Sequence, residues 1–389
     1  MKKRMVLVFL ALILASMACN LPWEVTPETI SETTTPELHS MEPSATVEAT
    51  PTDEPSDVSG TEEPAPLPIV YGDRTTFPAT LVVLDPVDGT EIMRLDAPDF
   101  GYGGVGGVTE SGVFYIDQNY QTAYHVAFDG TVQELSYLND GGEYFEGIIF
   151  PSPDGTKVAH GFVMYMDAVS SPISQLIMFN FDGSDETVLV YETPPEHALR
   201  PEPIKWASDH SALYYINVIE GIEGYGGLDL YKIDLVAGTR ETIFETDHTL
   251  CSTSISPDET MAVRVYKNDP LTLVIRDLEA GTEQSVIFPS EYKQSLSIVW
   301  APDSSAVLVN LSLGTWGDDD EFSVIRVNPH TLEYDFIVQD DPNLLHAAAW
   351  QSLETIWLND GEGTLWMMDA ESLMMSEVAR DAWLVPVNR

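Results

Sequence analysis

Cysteine and basic residues are both scarce in this chain of 389 residues. Cys19 and Cys251 are the only cysteines, and 17 Lys and Arg stand against 63 Asp and Glu. Two cysteines so far apart in the sequence do not make a disulfide framework. The formal net charge of −46 repels the phosphates of nucleic acid and anionic lipid alike, so we expect no nucleic-acid partner. Two explanations of the charge remain open, namely a surface for cations or basic partners and solubility.

Long apolar runs are also missing, with one exception at the N-terminus. Residues 5–14 are apolar, follow a basic start and lead into the small-residue stretch 15–18 before Cys19. This pattern predicts a secretory signal peptide over residues 1–18, too short to span a bilayer. A cleavage site directly before a cysteine resembles the lipobox of bacterial lipoproteins, which implies that Cys19 is lipidated. Ser16 departs from the lipobox pattern, and the alternative is an ordinary signal peptide.

Residues 20–66 contain no Lys or Arg, eleven Asp or Glu, eight Pro and a single aromatic residue, Trp23. Such a segment cannot bury enough apolar surface to offset its chain entropy, so we expect a disordered stalk over residues 19–66. Three of the 17 basic residues lie in the signal peptide, so residues 67–389 hold 52 acids and 14 bases. We expect one folded domain there, monomeric and acidic.

A short block recurs through the folded part. It consists of an aromatic or aliphatic residue, a tight turn with an acidic residue, and then an apolar stretch. The copies begin at Phe150, Trp206, Ile255, Trp300 and Trp350, and a degenerate copy lies upstream at Gly107. Their mean spacing of roughly 49 residues is typical of one propeller blade. Strand, turn and strand are therefore expected in each copy, and the turn residues Asp154, Asp209, Asp258 and Asp303 are interpreted as backbone-capping rather than catalytic acids.

A second alternating apolar and polar segment follows each block, typical of an antiparallel hairpin with one buried face. This second hairpin also occurs once before any block, at residues 79–92, which gives seven second hairpins against six first ones. Residues 382–387 and 67–71 resemble the two missing strands. The sequence thus predicts an all-β propeller of seven four-stranded blades, with six as the alternative count, whose last blade is closed by both chain ends.

The segments Ser152 to Gly155, Ser256 to Asp258 and Ala301 to Asp303 carry the turn motif. The domain resembles TolB-like and WD-like repeat propellers through these residues. The resemblance implies the propeller fold and says almost nothing about function. The block aromatics Phe150, Trp206, Trp300 and Trp350 could form a sugar-stacking surface, but their place at the end of the innermost strand favours packing between blades.

Common catalytic signatures, including G-x-S-x-G, H-E-x-x-H, Walker and C-x-x-C motifs, are missing. The loops that enter the innermost strands rim one mouth of the ring and supply the candidate ligand-facing residues. These are Tyr102, Tyr144, His197, Arg200, His248, Tyr292, Lys293 and His346.

A divalent metal is the one cofactor that the sequence leaves open, and we expect none. Some TolB-like propellers are lyases that hold a divalent metal with histidines, but the three mouth histidines here sit at different offsets from their strands. The run Asp318, Asp319 and Asp320 could take Ca²⁺. It lacks the alternating ligand spacing of calcium loops, so a solvated acidic loop is the preferred interpretation.

Three functions follow from these observations. The first is a cell-envelope lipoprotein that displays the propeller as a binding or scaffolding module for a protein, peptide or glycan partner. The second is a metal-assisted polysaccharide lyase or hydrolase acting in the funnel. The third is a structural envelope component. All three place the protein outside the cytoplasm, attached to a membrane through a lipid anchor, and the first and third require no enzyme activity.

Replacing Cys19 should release the protein from the membrane. We expect Cys19→Ser to appear in the aqueous fraction after cell lysis and phase separation, because the apolar segment at residues 5–14 leaves with the signal peptide. The wild-type chain, processed in parallel, should stay in the detergent phase. A Cys19→Ser protein that still requires detergent for extraction would contradict the lipid anchor.

Overall fold

Short antiparallel strands make up nearly all of the regular secondary structure in the described residues. The computed structural model describes residues 66–73, 75, 79–100, 106–117, 122–138, 145–164, 172–193, 199–219, 227–245, 252–314 and 321–386. In these ranges the one helical segment is the 3-10 turn Ser136–Leu138. No helix among them is long and apolar enough to cross a membrane.

The described residues form 28 strands in seven four-stranded sheets, which we number as blades in chain order. Blade 1 consists of β1 (Ile69–Asp73), β2 (Thr80–Leu84), β3 (Glu91–Asp96) and the last strand of the chain, β28 (Ala382–Leu384). Blade 2 consists of β4 (Gly107–Val108), β5 (Gly112–Ile116), β6 (Ala123–Ala127) and β7 (Val132–Glu134). Blade 3 consists of β8 (Phe145–Pro151), β9 (Lys157–Met164), β10 (Ile173–Asn180) and β11 (Thr187–Glu192).

The remaining blades use consecutive strands in the same way. Blade 4 consists of β12 (Leu199–Trp206), β13 (Ala212–Ile219), β14 (Leu230–Asp234) and β15 (Arg240–Phe244). Blade 5 consists of β16 (Ser252–Ile255), β17 (Met261–Tyr266), β18 (Thr272–Asp277) and β19 (Glu283–Ile287). Blade 6 consists of β20 (Gln294–Trp300), β21 (Val307–Ser312), β22 (Phe322–Val327) and β23 (Tyr334–Asp341). Blade 7 consists of β24 (His346–Ser352), β25 (Thr355–Asn359), β26 (Leu365–Asp369) and β27 (Met375–Ala379).

These sheets form a seven-bladed β-propeller, and the count of seven predicted from the repeat is confirmed. The degenerate copy at Gly107 and the copy at Trp350 each build a complete blade. The innermost strand of every blade begins at one end of the ring, which we call the mouth. In blades 2 to 7 it ends in the turn block at the opposite end, which we call the lower end, and in blade 1 the innermost strand β28 ends there without such a block.

The hydrophobic core is divided into seven clusters, each lying between two neighbouring blades. One cluster joins Leu213 of blade 4 to Ala159 of blade 3, and another joins Val82 of blade 1 to Trp357 of blade 7. The clusters therefore run without a break around the ring. Because each blade buries both of its faces against neighbours, no single blade has a core of its own.

Blade 1 closes the ring, as the sequence predicts, with strands from both chain ends. β28 is antiparallel to β1, with Tyr71 opposite Leu384 and Asp73 opposite Ala382. The strands differ from the expected 67–71 and 382–387 by a few residues at their ends, where strand hydrogen bonding stops. Gly72 is needed in β1 because a Cβ atom there would overlap the buried ring of Phe100.

The last strand also contacts the blades on either side of blade 1. The Ala382 N–H donates to the carbonyl of Gly363 in blade 7 at 2.8 Å. The Val108 N–H of blade 2 donates to the carbonyl of Pro386 at 3.0 Å. Val385 is buried in the cluster between blades 1 and 2. The C-terminal residues therefore link three blades.

Two buried histidines lie in or beside the core between blades 2 and 3. His125 packs against Phe114 at 4.4 Å and Phe181 at 4.9 Å between ring centroids. Burial lowers the pKa of His125 to about 4, although nearby Asp129 acts in the opposite direction. Burial likewise lowers the pKa of His160 to about 3. Both imidazoles are therefore neutral at pH 7.

Removing residues 381–389 should open the ring. The truncation deletes the innermost strand of blade 1 and exposes the unpaired edge of β1 together with apolar blade faces. We expect the melting temperature to fall by roughly 10 °C or more, because several kcal/mol of burial are lost and each kcal/mol is worth about 2–4 °C in a domain of 150–250 residues. Scanning calorimetry and size-exclusion chromatography would measure the melting temperature and the expected aggregation.

The matched control is removal of residues 387–389 only, which leaves β28 and Val385 in place. This shorter truncation should melt within a few degrees of the full chain. If the longer truncation stays monomeric and melts like the control, β28 does not close the ring.

The buried histidines predict a specific loss of stability in acid. The unfolded chain binds a proton at His125 near its ordinary pKa of about 6.5, whereas the folded chain does so only near pH 4. Stability is therefore lost as pH falls from about 6.5 towards 4, by at most roughly 1.4 kcal/mol per pH unit for this group. The variant His125→Phe should lose less unfolding free energy between pH 7 and pH 4.5, measured by urea denaturation, than the wild type loses. Parallel losses in the two proteins would show that His125 does not contribute.

Candidate functional site

The acidic side chains of the repeated turn accept hydrogen bonds from the backbone of the same turn, as the sequence predicts. The backbone N–H two residues later donates to each carboxylate at 2.9–3.1 Å in Asp154, Asp209, Asp258 and Asp303. The residue after each aspartate takes a left-handed conformation, with φ between 56° and 68°. Hydrogen bonds from Ser211 lower the pKa of Asp209, which keeps it ionised. These carboxylates shape turns and are not placed as proton donors.

The block aromatics lie between blades, which confirms the packing interpretation. Phe150 and Trp206 share the cluster between blades 3 and 4, and the Trp206 indole N–H donates to the Phe150 carbonyl at 3.3 Å. Trp300 lies between blades 5 and 6 and Trp350 between blades 6 and 7. None of the four side chains is more than 8% exposed. They offer no surface on which a sugar ring could stack.

The sequence predicts eight ligand-facing residues at the mouth, and the structure describes four of them. These are Arg200, Tyr292, Lys293 and His346. Several other predicted residues lie outside the described residues, as do the lipidation site and the acidic run considered for a metal. These are Tyr102, Tyr144, His197, His248, Cys19, Asp318, Asp319 and Asp320.

Arg200 lies at the mouth end of β12, opposite Val218 of β13. Its Nη2 atom is 3.1 Å from the Glu202 carboxylate, and the two side chains are 22% and 27% exposed. Residues two apart on a strand point to the same face, so this pair forms along one face of the strand. The positive charge of Arg200 is therefore partly neutralised by the carboxylate of Glu202 on the same strand.

His346 begins β24 and is the one predicted mouth histidine that the structure describes. Its Nδ1 atom lies 3.1 Å from the carbonyl oxygen of Leu344. Burial lowers the pKa of His346, and the contact with Leu344 acts in the opposite direction. A carbonyl can only accept, so Nδ1 carries the proton and Nε2 keeps a lone pair. A lone pair held in this way can accept a hydrogen bond or bind a metal.

Lys293 lies just before β20 and is 44% exposed. Its Nζ donates to the Ser290 carbonyl at 2.6 Å and lies 3.8 Å from Asp269 of blade 5. The Lys293 N–H donates to the Ser312 carbonyl at 2.9 Å. The backbone of Lys293 is therefore held by blade 6 while its ammonium group reaches back towards blade 5.

Tyr292 faces inward and is only 2% exposed. Its hydroxyl lies 3.0 Å from both Ser323 Oγ and Asp340 Oδ1. The Asp340 N–H donates to Ser323 Oγ at 2.8 Å, and Asp340 has a φ of 48°. Burial raises the pKa of Tyr292 to about 12. This network joins the loop entering blade 6 to the outer strand of that blade, and it leaves no Tyr292 surface for a ligand.

Arg264 is a buried cation near the mouth that the sequence analysis did not single out. Its side chain is 0% exposed, and Nε donates to Thr253 Oγ1 at 3.1 Å. Nη2 donates to the Leu228 carbonyl of blade 4, and the guanidinium lies 4.8 Å from the centroid of the Phe244 ring. Arg264 thus joins blade 5 to blade 4. One arginine inside the otherwise apolar strand β17 was the signal available in the sequence, because an arginine is seldom fully buried without partners.

The described mouth residues can supply hydrogen bonds and positive charge. Arg200, Lys293 and His346 come from the innermost-strand region of blades 4, 6 and 7. In the described ranges no group of three or more His, Cys, Asp or Glu side chains is arranged to hold a metal ion. The described part of the mouth therefore has the chemistry of a polar binding surface.

Comparison with known protein families finds no match, and comparison with curated proteins finds none either. Solved structures do match. An oligogalacturonate lyase in complex with manganese is 14% identical, with a TM-score of 0.53 over 80% of this chain and 83% of that chain. The periplasmic gluconolactonase of Pseudomonas aeruginosa is 12% identical, with a TM-score of 0.51 over 82% of this chain and 99% of that chain.

TolB-like propellers are also among the structural neighbours. TolB of Acinetobacter baumannii is 12% identical, with a TM-score of 0.42 over 68% of this chain and 62% of that chain. At identities this low, the likeness to solved structures concerns the fold alone. The chain is a seven-bladed β-propeller.

Proposed function

We propose that this protein is an exported, lipid-anchored propeller whose mouth binds a protein, peptide or glycan partner. The proposal rests on one observation, which is that the polar and aromatic residues of the repeat are occupied by contacts within the ring. The turn acids hold backbone N–H groups and the block aromatics fill the core between blades. The repeat therefore builds a ring, and recognition is left to the loops, as is general for shared folds.

The point at which the chain enters the ring supports a binding role for the mouth, because this point lies at the other end of the ring. β1 runs antiparallel to β28, so its first residue, Ile69, lies at the lower end of the ring. Residues 66–68, which lead into β1, therefore enter the ring at the end opposite the mouth. A binding surface at the mouth then stays clear of the point of attachment.

A metal-assisted polysaccharide lyase is the second candidate, and His346 is the observation that favours it. With Nδ1 held by the Leu344 carbonyl, Nε2 of His346 has the lone pair that a metal ligand needs. The matching lyase structure contains manganese and has the same fold. His197 and His248 of the predicted mouth are the residues that would have to complete such a site.

Photo-crosslinking from defined positions tests the binding proposal. A photoreactive amino acid replaces Lys293 at the mouth of the mature chain carrying Cys19→Ser. The protein is then irradiated in an extract of the native envelope. The control places the same group at Met374, which is 72% exposed on a lower-end turn of blade 7. We expect covalent adducts from the mouth position at least about fivefold more abundant than from Met374.

Elemental analysis of the purified protein separates the two candidates. A lyase of this kind needs about one divalent metal per chain, and His346→Gln should lower that content. A binding module shows the mouth adducts without stoichiometric metal. Equal labelling from Lys293 and Met374 would contradict recognition at the mouth.

A further inference from the structure

An open groove crosses the lower end of the ring at blade 5, away from the mouth. Its volume is about 720 Å³, which lies in the range of ligand-binding clefts. Tyr214, Lys232 and Glu241 form one wall, as a row across three neighbouring strands of blade 4. The outer turn of blade 5 and residue His330 of blade 6 complete the lining.

The groove is open because two side chains do not reach the next blade. In blade 6, Arg326 donates to the Ala370 carbonyl of blade 7 at 3.1 Å and fills the space between these blades. The equivalent residues are Lys232 in blade 4 and Ile275 in blade 5, by the pairing of the strands. Lys232 lies 5.2 Å from the ring of Tyr214 in its own blade, and Ile275 is apolar. The clefts on both sides of blade 5 therefore stay unfilled.

The floor and the rim of this groove differ in chemistry. Ile243, Met261 and Ile275 lie at its base and are at most 7% exposed. Four carboxylates line it against the single lysine, and of these Glu241, Asp277 and Glu279 are exposed. Glu259 is held in place by the Ser208 N–H at 2.6 Å and the Tyr214 hydroxyl at 3.2 Å.

We propose that this groove binds an extended, lysine- or arginine-rich peptide segment of a partner protein. The aliphatic stems of such side chains cover apolar surface while their charged ends stay near carboxylates and water. The four lining acids supply the complementary charge, and the excess of 52 acids over 14 bases in residues 67–389 attracts cations over a longer range. The site is distinct from the mouth, so it stands or fails independently of the function proposed above.

Fluorescence anisotropy with a defined probe tests the groove. The probe is a fluorescein-labelled nonapeptide with lysine and serine at alternate positions. The protein is the mature chain carrying Cys19→Ser at about 150 mM salt, where a Debye length of about 8 Å suppresses distant charges. We expect the double variant Glu241→Gln and Glu279→Gln to bind at least about fivefold more weakly than the parent.

The matched control removes the same charge elsewhere. Glu186 and Glu371 are exposed on other blades, and their double Gln variant should change the affinity less than about twofold. Both double variants keep the acidic stalk, so any binding by residues 20–66 is common to them. Equal weakening in both would show diffuse attraction to an acidic surface and would overturn the proposal, as would a parent protein that does not bind the probe.

A second probe tests the apolar floor. It replaces each lysine with 2,3-diaminopropionate, which keeps an amine and shortens the stem by three methylenes. We expect binding at least about threefold weaker at a pH where both probes are fully protonated. Equal affinity for both probes would mean that charge alone holds the peptide, and the groove would then not be the site.

Discussion

The structure depends on the hydrogen-bonded pairing of the first and last strands in blade 1. Every core cluster in this ring lies between blades, so each blade is stable only with a neighbour on both sides. An open ring would leave two blade faces and their strand edges in water. β28 prevents this with three residues, and its neighbours Val385 and Pro386 extend the contact into blade 2.

The elements that the sequence predicted are those encoded within one repeat. Asp154 and Thr156 are two positions apart, so their contact could be inferred from the turn motif alone. The packing of Trp206 between blades followed from its place at the end of an innermost strand. Ring closure could be inferred as well, because counting hairpins left one strand missing at each end of the chain.

Contacts between residues that are far apart in the sequence could not be inferred in this way. Tyr292 lies in a loop at the mouth, and its position in the sequence suggested an exposed side chain. Its partners, Ser323 and Asp340, are 31 and 48 residues further on. The direction of the side chain is decided by a buried hydroxyl and a half-buried carboxylate that only the folded blade brings together. The Arg264 contact with Leu228 and the open groove at blade 5 likewise depend on how two blades face each other.

The double-sided pairing of β1 determines how the ring would bear a mechanical load. β1 is hydrogen-bonded to β28 on one edge and to β2 on the other. A pull on the chain just before blade 1 enters the ring at Ile69 and is shared by two ladders of hydrogen bonds. The first strand cannot peel away like an edge strand, because both ladders have to break before it is released. A propeller pulled through its first strand therefore meets the force at a strand that is held from both sides.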